Sequence, residues 1–297
     1  MLTSYRQKEQ ITGLAVDFGG TKIAAARYLN GEQLSYLQVP TQAQRTVSEQ
    51  VAVMAELLNQ LKLSDDDRVC VAVTGRVDQQ GNWYAVNKDT LSKIDCVPLK
   101  SLLNQKLQRQ VHLLNDCVAG AIGEAHYGAG MGLDNFAYIS VSTGVGGVFF
   151  LRGEALTSAN GLAGHMGFMS SRYSDQRCGS GRMATVESVA SGRAIAQLAT
   201  QSGFPNLTAK QVYARHQTGD LWATQLINRS AQAIADLSVN LGAALGIENA
   251  VIGGSIGLAP GYIELAQQQV NLEPDLFKLT LKAATLGQES VLYGSLA

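Results

Sequence analysis

A chain of 297 residues with 46% hydrophobic residues is long enough to bury one large core or two of ordinary size. Its net charge of −1, with no basic block or acidic tail, argues against nucleic acid or an anionic membrane as the main partner. No apolar run reaches transmembrane length and residues 1–10 lack an apolar signal core, so the expected location is the cytoplasm, with Cys70, Cys96, Cys117 and Cys178 as reduced thiols.

In chain order, residues 11–17 read as a β-branched strand that runs into the glycine turn V-D-F-G-G-T-K. Residues 23–29 and 33–39 read as two further strands joined by Asn30-Gly31, a type I′ hairpin signal. Residues 46–63 carry apolar positions at helical spacing. Residues 69–73 and 111–114 are short buried strands, the second ending in L-N-D with a helix to follow. The second half repeats the outline, with a strand at 136–141, the turn S-T-G-V-G-G at 142–147 and a return strand at 146–151. A Gly- and Ser-rich loop spans 152–183, a length that inside a compact enzyme usually signals function. Helical patterns follow at 185–200, 208–216 and 220–245, then a strand at 250–252 that meets I-G-G-S-I-G, and a short helix at 289–296. The whole predicts a duplicated α/β architecture.

Each glycine turn ends a strand, where backbone N–H groups can approach a phosphate with no Cβ in the way. One such turn is an ordinary hairpin as readily as a phosphate cradle. Several of them around a lone strand-end Asn115-Asp116 point to a nucleotide clamp closing on a reactive carboxylate. Asp116 is the candidate general base for phosphoryl transfer, and its plain alternative is the N-cap of the next helix. Asn115 is expected to donate and accept hydrogen bonds with substrate hydroxyls, or else to be a turn residue. Cys117, Trp83 and Trp222 read as packing residues.

In combination, D-F-G-G-T-K, L-N-D, V-S-T-G-V-G-G, G-L-A-G-H-M-G (161–167), V-E-S-V-A-S-G-R (186–193) and I-G-G-S-I-G resemble the ROK sugar kinases of the actin/hexokinase-like ATPase superfamily, from about residue 14 to 296. The resemblance implies a two-lobed actin-like (ribonuclease H-like) α/β fold with a central cleft, the small lobe at 1–117 plus 285–297 and the large lobe at 118–284. It places Asp17 near the Mg²⁺ carried with ATP, generally through water. It gives Gly19, Gly20, Thr21 and Lys22 to the first phosphate turn, and Thr143, Gly144 and Gly146 to the second. Gly254, with Gly253 and Ser255, falls to the adenosine side. His165 and Glu187 are set against the sugar. Thr74, Gly75, Asn87, Thr90 and Leu91 fall where family members line the sugar pocket. A satisfied structural histidine and a first-turn helix carboxylate are the plain alternatives for His165 and Glu187.

The implied reaction is ATP-dependent phosphorylation of a sugar 6-hydroxyl. Many ROK hexokinases carry E-x-G-H, whereas Leu162 stands at the Glu position here and G-L-A-G-H is like the bacterial mannosamine kinases. N-acetylmannosamine is therefore the expected sugar, in sialic acid breakdown, with glucose, N-acetylglucosamine or fructose as alternatives and a non-catalytic sugar sensor as a reading from another class. A homodimer is the expected assembly. Typical members bind structural zinc through this histidine and three cysteines. Here two of those thiolates are replaced by Ser180 and Thr185, leaving Cys178 and His165. Such a set cannot close a tetrahedral site, so no zinc is expected.

Overall fold

The computed structural model describes residues 11–87 and 94–297. The chain divides into two compact units. Unit 1 takes the described residues up to 132, 154–163 and 288–297; unit 2 takes 133–153 and 164–287.

Unit 1 is built on β1 (Gly13–Phe18), β2 (Lys22–Leu29), β3 (Glu32–Pro40), β4 (Val69–Val73) and β7 (Val111–Asn115), in the sheet order β3-β2-β1-β4-β7. The β1–β2 and β2–β3 pairs are antiparallel; β1–β4 and β4–β7 are parallel. The pattern follows from the residues. Val-Cys-Val-Ala-Val of β4 is apolar throughout and buried throughout, as a parallel strand covered on both faces must be. At the sheet edge, β3 alternates between half-buried and exposed positions. Asn30 and Gly31 both take positive φ, the requirement of a type I′ turn.

Helix α1 (Val47–Gln60) opens on a capping box between Thr46 and Glu49 and lays Val51, Met54, Leu57 and Leu58 on the core. It stops short of the expected residue 63, because Lys62 turns left-handed with φ 60°. A two-strand ribbon, β5 (Arg76–Val77) with β6 (Trp83–Tyr84), and α2 (Leu99–Leu107) complete this side. Helix α3 (Asp116–Tyr127) follows β7 directly. The boundary expected at 117 therefore moves. A Cβ on Gly123 of α3 would strike the Ser290 carbonyl of α9 (Ser290–Leu296), and packing this close keeps α3 in unit 1. Residues 154–163, with the short β10 (Glu154–Ala155), join the same unit, where Arg76 donates to the Asn160 carbonyl and the Gln79 N–H to that of Ala159 at 3.1 Å.

Unit 2 repeats the strand logic. β8 (Phe136–Val141) pairs antiparallel with β9 (Val145–Leu151) and parallel with β11 (Asn249–Gly253), which pairs parallel with β12 (Thr280–Ala283). Its helices are α4 (Glu187–Ala190), α5 (Gly192–Gln201), α6 (Ala209–Gln217), α7 (Leu221–Leu245) and α8 (Tyr262–Val270). The single helix expected at 185–200 is two. Ser191 takes an extended backbone, ends α4, and its hydroxyl accepts the Ala194 N–H to cap α5. Among the described residues no helix is long and apolar enough to cross a membrane.

Candidate active site

In unit 1 the first glycine turn is a tight link between β1 and β2. The Gly19 N–H donates to the Lys22 carbonyl at 2.9 Å. Thr41, just past β3, clamps the turn from outside: its hydroxyl donates to the Gly19 carbonyl at 2.7 Å and its N–H to the Thr21 carbonyl at 3.0 Å. Gly20, Thr21 and Lys22 thus sit on a backbone fixed at both ends.

Parallel pairing brings the ends of β1, β4 and β7 side by side, with Phe18 opposite Val73 and Val73 opposite Asn115. The polar residues at those ends consequently meet. Asn115 is the N-cap of α3, its Oδ1 accepting the Val118 N–H at 3.1 Å. Its Nδ2 donates to the Gly75 carbonyl at 2.7 Å and to Asp116 Oδ1 at 3.0 Å. Both amide hydrogens are thereby spent inside the protein, and the donating role expected of Asn115 toward a sugar is not open to it while these bonds hold. Gly75 needs its positive φ of 96°, and a Cβ there would lie 2.6 Å from the Tyr84 carbonyl oxygen.

Asp116 is consequently not the cap. Its Oδ1 accepts the Cys117 N–H at 2.8 Å. Burial pushes its carboxyl up to about 6, against hydrogen bonds from Cys117, Thr74 and Asn115 that favour the charged form. Asp17 is pushed up to about 7, first by burial and then by the negative charge of Asp116, with Lys22 pulling the other way. Two half-buried carboxylates thus repel one another in this unit. Asn87 is half-buried, and Thr90 and Leu91 lie outside the described residues.

In unit 2 the second glycine turn closes on itself, the Ser142 N–H donating to the Gly144 carbonyl at 2.9 Å. Three segments converge on it. From the turn after β11, the Ile256 and Gly257 N–H groups donate to the Val141 carbonyl at 2.9 and 3.0 Å, and the hydroxyls of Ser142 and Ser255 meet at 3.1 Å. Gly254 there has φ 84° and lies against the Val141 backbone. From α5, the Gly192 N–H donates to the Ser142 carbonyl at 2.8 Å. From α4, Glu187 Oε2 accepts the Val145 N–H at 3.2 Å and would lie 2.7 Å from a Cβ on Gly144. A side chain at 144 would therefore displace the carboxylate. Glu187 is 7% exposed, burial raises its carboxyl, and its Oε1 is buried with no hydrogen-bond partner.

The G-L-A-G-H-M-G segment is laid on β9. A Cβ on Gly164 would lie 2.5 Å from the Gly147 carbonyl oxygen, and one on Gly167 would strike that of Val145. His165 between them is half-buried, its ring stacked on Phe168 with centroids 6.0 Å apart. Both His165 and Glu187 are thus carried by contacts to β9, as are Thr143 and Gly146 by chain continuity.

The loop around Cys178 and Thr185 is tied by hydroxyls. Cys178 Sγ meets Ser180 Oγ at 3.0 Å. Thr185 and Ser188 cap each other reciprocally, N–H to hydroxyl, at 3.0 and 3.2 Å, and Ser188 Oγ donates to Ser174 Oγ at 2.8 Å. The sequence reading missed this latch and the α5 N-terminus; the S-G-R of V-E-S-V-A-S-G-R was the available signal for the latter.

Known proteins match this arrangement over almost the full chain. The ROK family model matches residues 13–297. The N-acetylmannosamine kinase of Pasteurella multocida (strain Pm70) is 37% identical over 282 residues, 95% of this chain and 94% of that protein. Among solved structures, a ROK hexokinase from Thermus thermophilus superposes with a TM-score of 0.77 at 26% identity, covering 96% of each chain. A ROK family glucokinase from Streptomyces griseus, solved with glucose and AMPPNP, shares the fold with a TM-score of 0.81 at 23% identity over 96% of this chain and 97% of its own. The chain belongs to the ROK family and has its actin-like ATPase fold.

Proposed function

We propose that this protein is an ATP-dependent kinase that transfers the γ-phosphoryl group to the 6-hydroxyl of N-acetylmannosamine. The observation that carries the reading is Asp116. Asn115 takes over the helix cap, so the neighbouring carboxylate is left beside Asp17, held by donors and with a carboxyl near 6. A base in that range is ionised at neutral pH yet basic enough to take a proton in the transition state. As the sugar oxygen bonds to phosphorus, Asp116 accepts the hydroxyl proton, the bond from γ-phosphorus to the bridging oxygen breaks, and ADP leaves. The proton then passes to water.

Phosphoryl transfer asks a protein mainly for positioning and charge stabilisation. The proposal gives phosphate contacts to the Gly19–Lys22 and Thr143–Gly146 backbones and the adenosine side to Gly254. Magnesium carried with the nucleotide fits Asp17, a half-buried carboxylate short of positive charge beside Asp116; bound there, it would neutralise phosphate charge. His165 and Glu187 are assigned to the sugar. The partnerless Glu187 Oε1 supports this, because a buried acceptor left unpaired is costly and a sugar hydroxyl would satisfy it. Gly75 and Thr90 remain part of the proposed sugar pocket, Gly75 through its backbone. The identity of 37% to an N-acetylmannosamine kinase supports that sugar over glucose, N-acetylglucosamine or fructose. ADP release measured across those sugars should be fastest by kcat/KM with N-acetylmannosamine; a higher value for glucose would overturn the substrate.

The same reading makes the protein a cytoplasmic homodimer serving sialic acid breakdown, with four unpaired thiols in keeping with a reducing compartment. It also dispenses with structural zinc. One thiolate and one imidazole leave two hydroxyls to complete the set, and hydroxyls are poor zinc donors. The Thr185–Ser188–Ser174 latch holds the loop instead. A chelator should leave the melting temperature unchanged, and elemental analysis should find far less than one zinc per chain; a stoichiometric, tightly held zinc would refute this.

A further inference from the structure

Within the second unit, the turn at 142–145 and the segment at 187–193 are tied at three points. The Gly192 N–H donates to the Ser142 carbonyl at 2.8 Å, and the Arg193 N–H to that of Thr143 at 3.4 Å. The third tie is made by a side chain, Glu187 Oε2 accepting the Val145 N–H at 3.2 Å. The backbone that carries Glu187 is itself fixed. The Val186 N–H donates to the Met169 carbonyl at 3.0 Å and the Ser191 N–H to the Glu187 carbonyl at 3.3 Å, while Thr185 and Ser188 cap each other on either side.

A carboxylate is planar, so an anchor on one oxygen sets the direction of the other. Here Oε2 is the anchored oxygen, and Oε1 is the buried one with no hydrogen-bond partner, on a residue only 7% exposed. The anchor depends on the space beside it. A Cβ on Gly144 would lie 2.7 Å from Oε2, and the only other atom near it among the described residues, chain neighbours aside, is Glu187 Cδ at 3.6 Å. One methyl group at 144 would therefore bear on this carboxylate and on nothing else. We propose that the second glycine turn positions the sugar's carboxylate as well as a phosphate: Gly144 leaves room for Oε2, the Val145 N–H holds it, and Oε1 is thereby aimed at a sugar hydroxyl. Gly144 and Val145 are positioning residues for the sugar. The inference rests on Glu187 being a sugar ligand, and it spends the Val145 N–H on the carboxylate rather than on a phosphate.

The test uses the full chain and N-acetylmannosamine without nucleotide. The φ of Gly144 lies outside the left-handed region, and the atom its Cβ would meet is the end of a side chain. Gly144→Ala can therefore fold by letting the carboxylate swing away. That swing should raise the calorimetric Kd for the sugar by about 10–100-fold, the loss of one hydrogen bond to a charged group. Glu187→Ala should raise it by at least as much. In the Glu187→Ala background, Gly144→Ala should change the sugar Kd by less than about twofold, because two residues acting through one group are not additive. A merely structural effect of the added methyl would persist in that background.

A sugar Kd for Gly144→Ala within about twofold of wild type would overturn the proposal even if nucleotide binding weakens, because the turn then serves phosphate alone. An undiminished Gly144→Ala penalty in the Glu187→Ala background would overturn it too. If Gly144→Ala does not fold, amide NMR of the wild type decides. Saturating sugar without nucleotide should shift the Val145 amide proton, whose acceptor is the carboxylate, and an unmoved Val145 amide would sink the idea. A wild-type sugar Kd in Glu187→Ala would instead remove the assignment of Glu187 to the sugar, an outcome separate from these.

Discussion

Asp116→Asn is expected to lower kcat by about 10²–10⁴-fold while sugar affinity stays within a few-fold, the magnitude of losing a general base. The substitution keeps the shape and the capacity to accept from the Cys117 N–H, so the site's geometry is retained. In the wild type, the acid limb of the rate profile should fall in the window from about 6 to about 7, where Asp116 and Asp17 titrate as an interacting pair. Below that window the base is protonated and the rate declines with falling pH.

Stability moves the other way. Both carboxyls ordinarily titrate at 3.8 and are raised in the folded protein, so between that value and about 7 the native state holds protons the unfolded chain has released. Stability of the ligand-free protein then falls as pH rises through the window. Asp116→Asn removes one of the two charges and should raise stability at pH 8 by on the order of 1–3 kcal/mol. Inactive and more stable is a signature that misfolding cannot produce. A variant that keeps wild-type kcat, or that melts well below wild type, would count against the base assignment.

Much of this centre was legible because strand-end glycines and a β-branched run announce themselves over a few residues. The first turn, the second turn and L-N-D all lie where the apolar runs put them. The assignment of Asn115 and Asp116 was not legible, because Asn and Asp are nearly equal as caps and the choice depends on which side chain Gly75 can reach across two strands. The break at Ser191 was hidden for a related reason: a serine hydroxyl can serve a helix interior or cap a new one, and periodicity does not tell them apart. Trp83 showed only an aromatic residue. That its N–H meets the Thr74 carbonyl follows from the β5–β6 ribbon, whose two-residue strands leave almost no pattern. The orphan oxygen of Glu187 is a property of packing around α4 and has no sequence counterpart.

Gly294→Ala carries the largest expected cost in stability. By helix propensity alone, replacing a helical glycine with alanine should help by about 1 kcal/mol. Here the added Cβ would fall on the Ala119 carbonyl oxygen and lie 2.6 Å from the Gly123 amide nitrogen, and both are backbone atoms. Neither can rotate away as a flexible side chain would, so α9 must shift from α3. The reciprocal glycine faces the same limit, a Cβ on Gly123 striking the Ser290 carbonyl. Overpacking of this kind costs about 1–3 kcal/mol and more where backbone has to move, so the net change should be a loss of about 2–4 kcal/mol. Because Asp116 opens α3, the strain should also reach the reaction, lowering kcat alongside the melting temperature. Denaturant unfolding of Gly294→Ala beside Gly123→Ala measures the first effect and single-turnover kinetics the second. A Gly294→Ala protein as stable as wild type would show that the two helices have room to part, and the account of why α3 belongs with the first unit would fail with it.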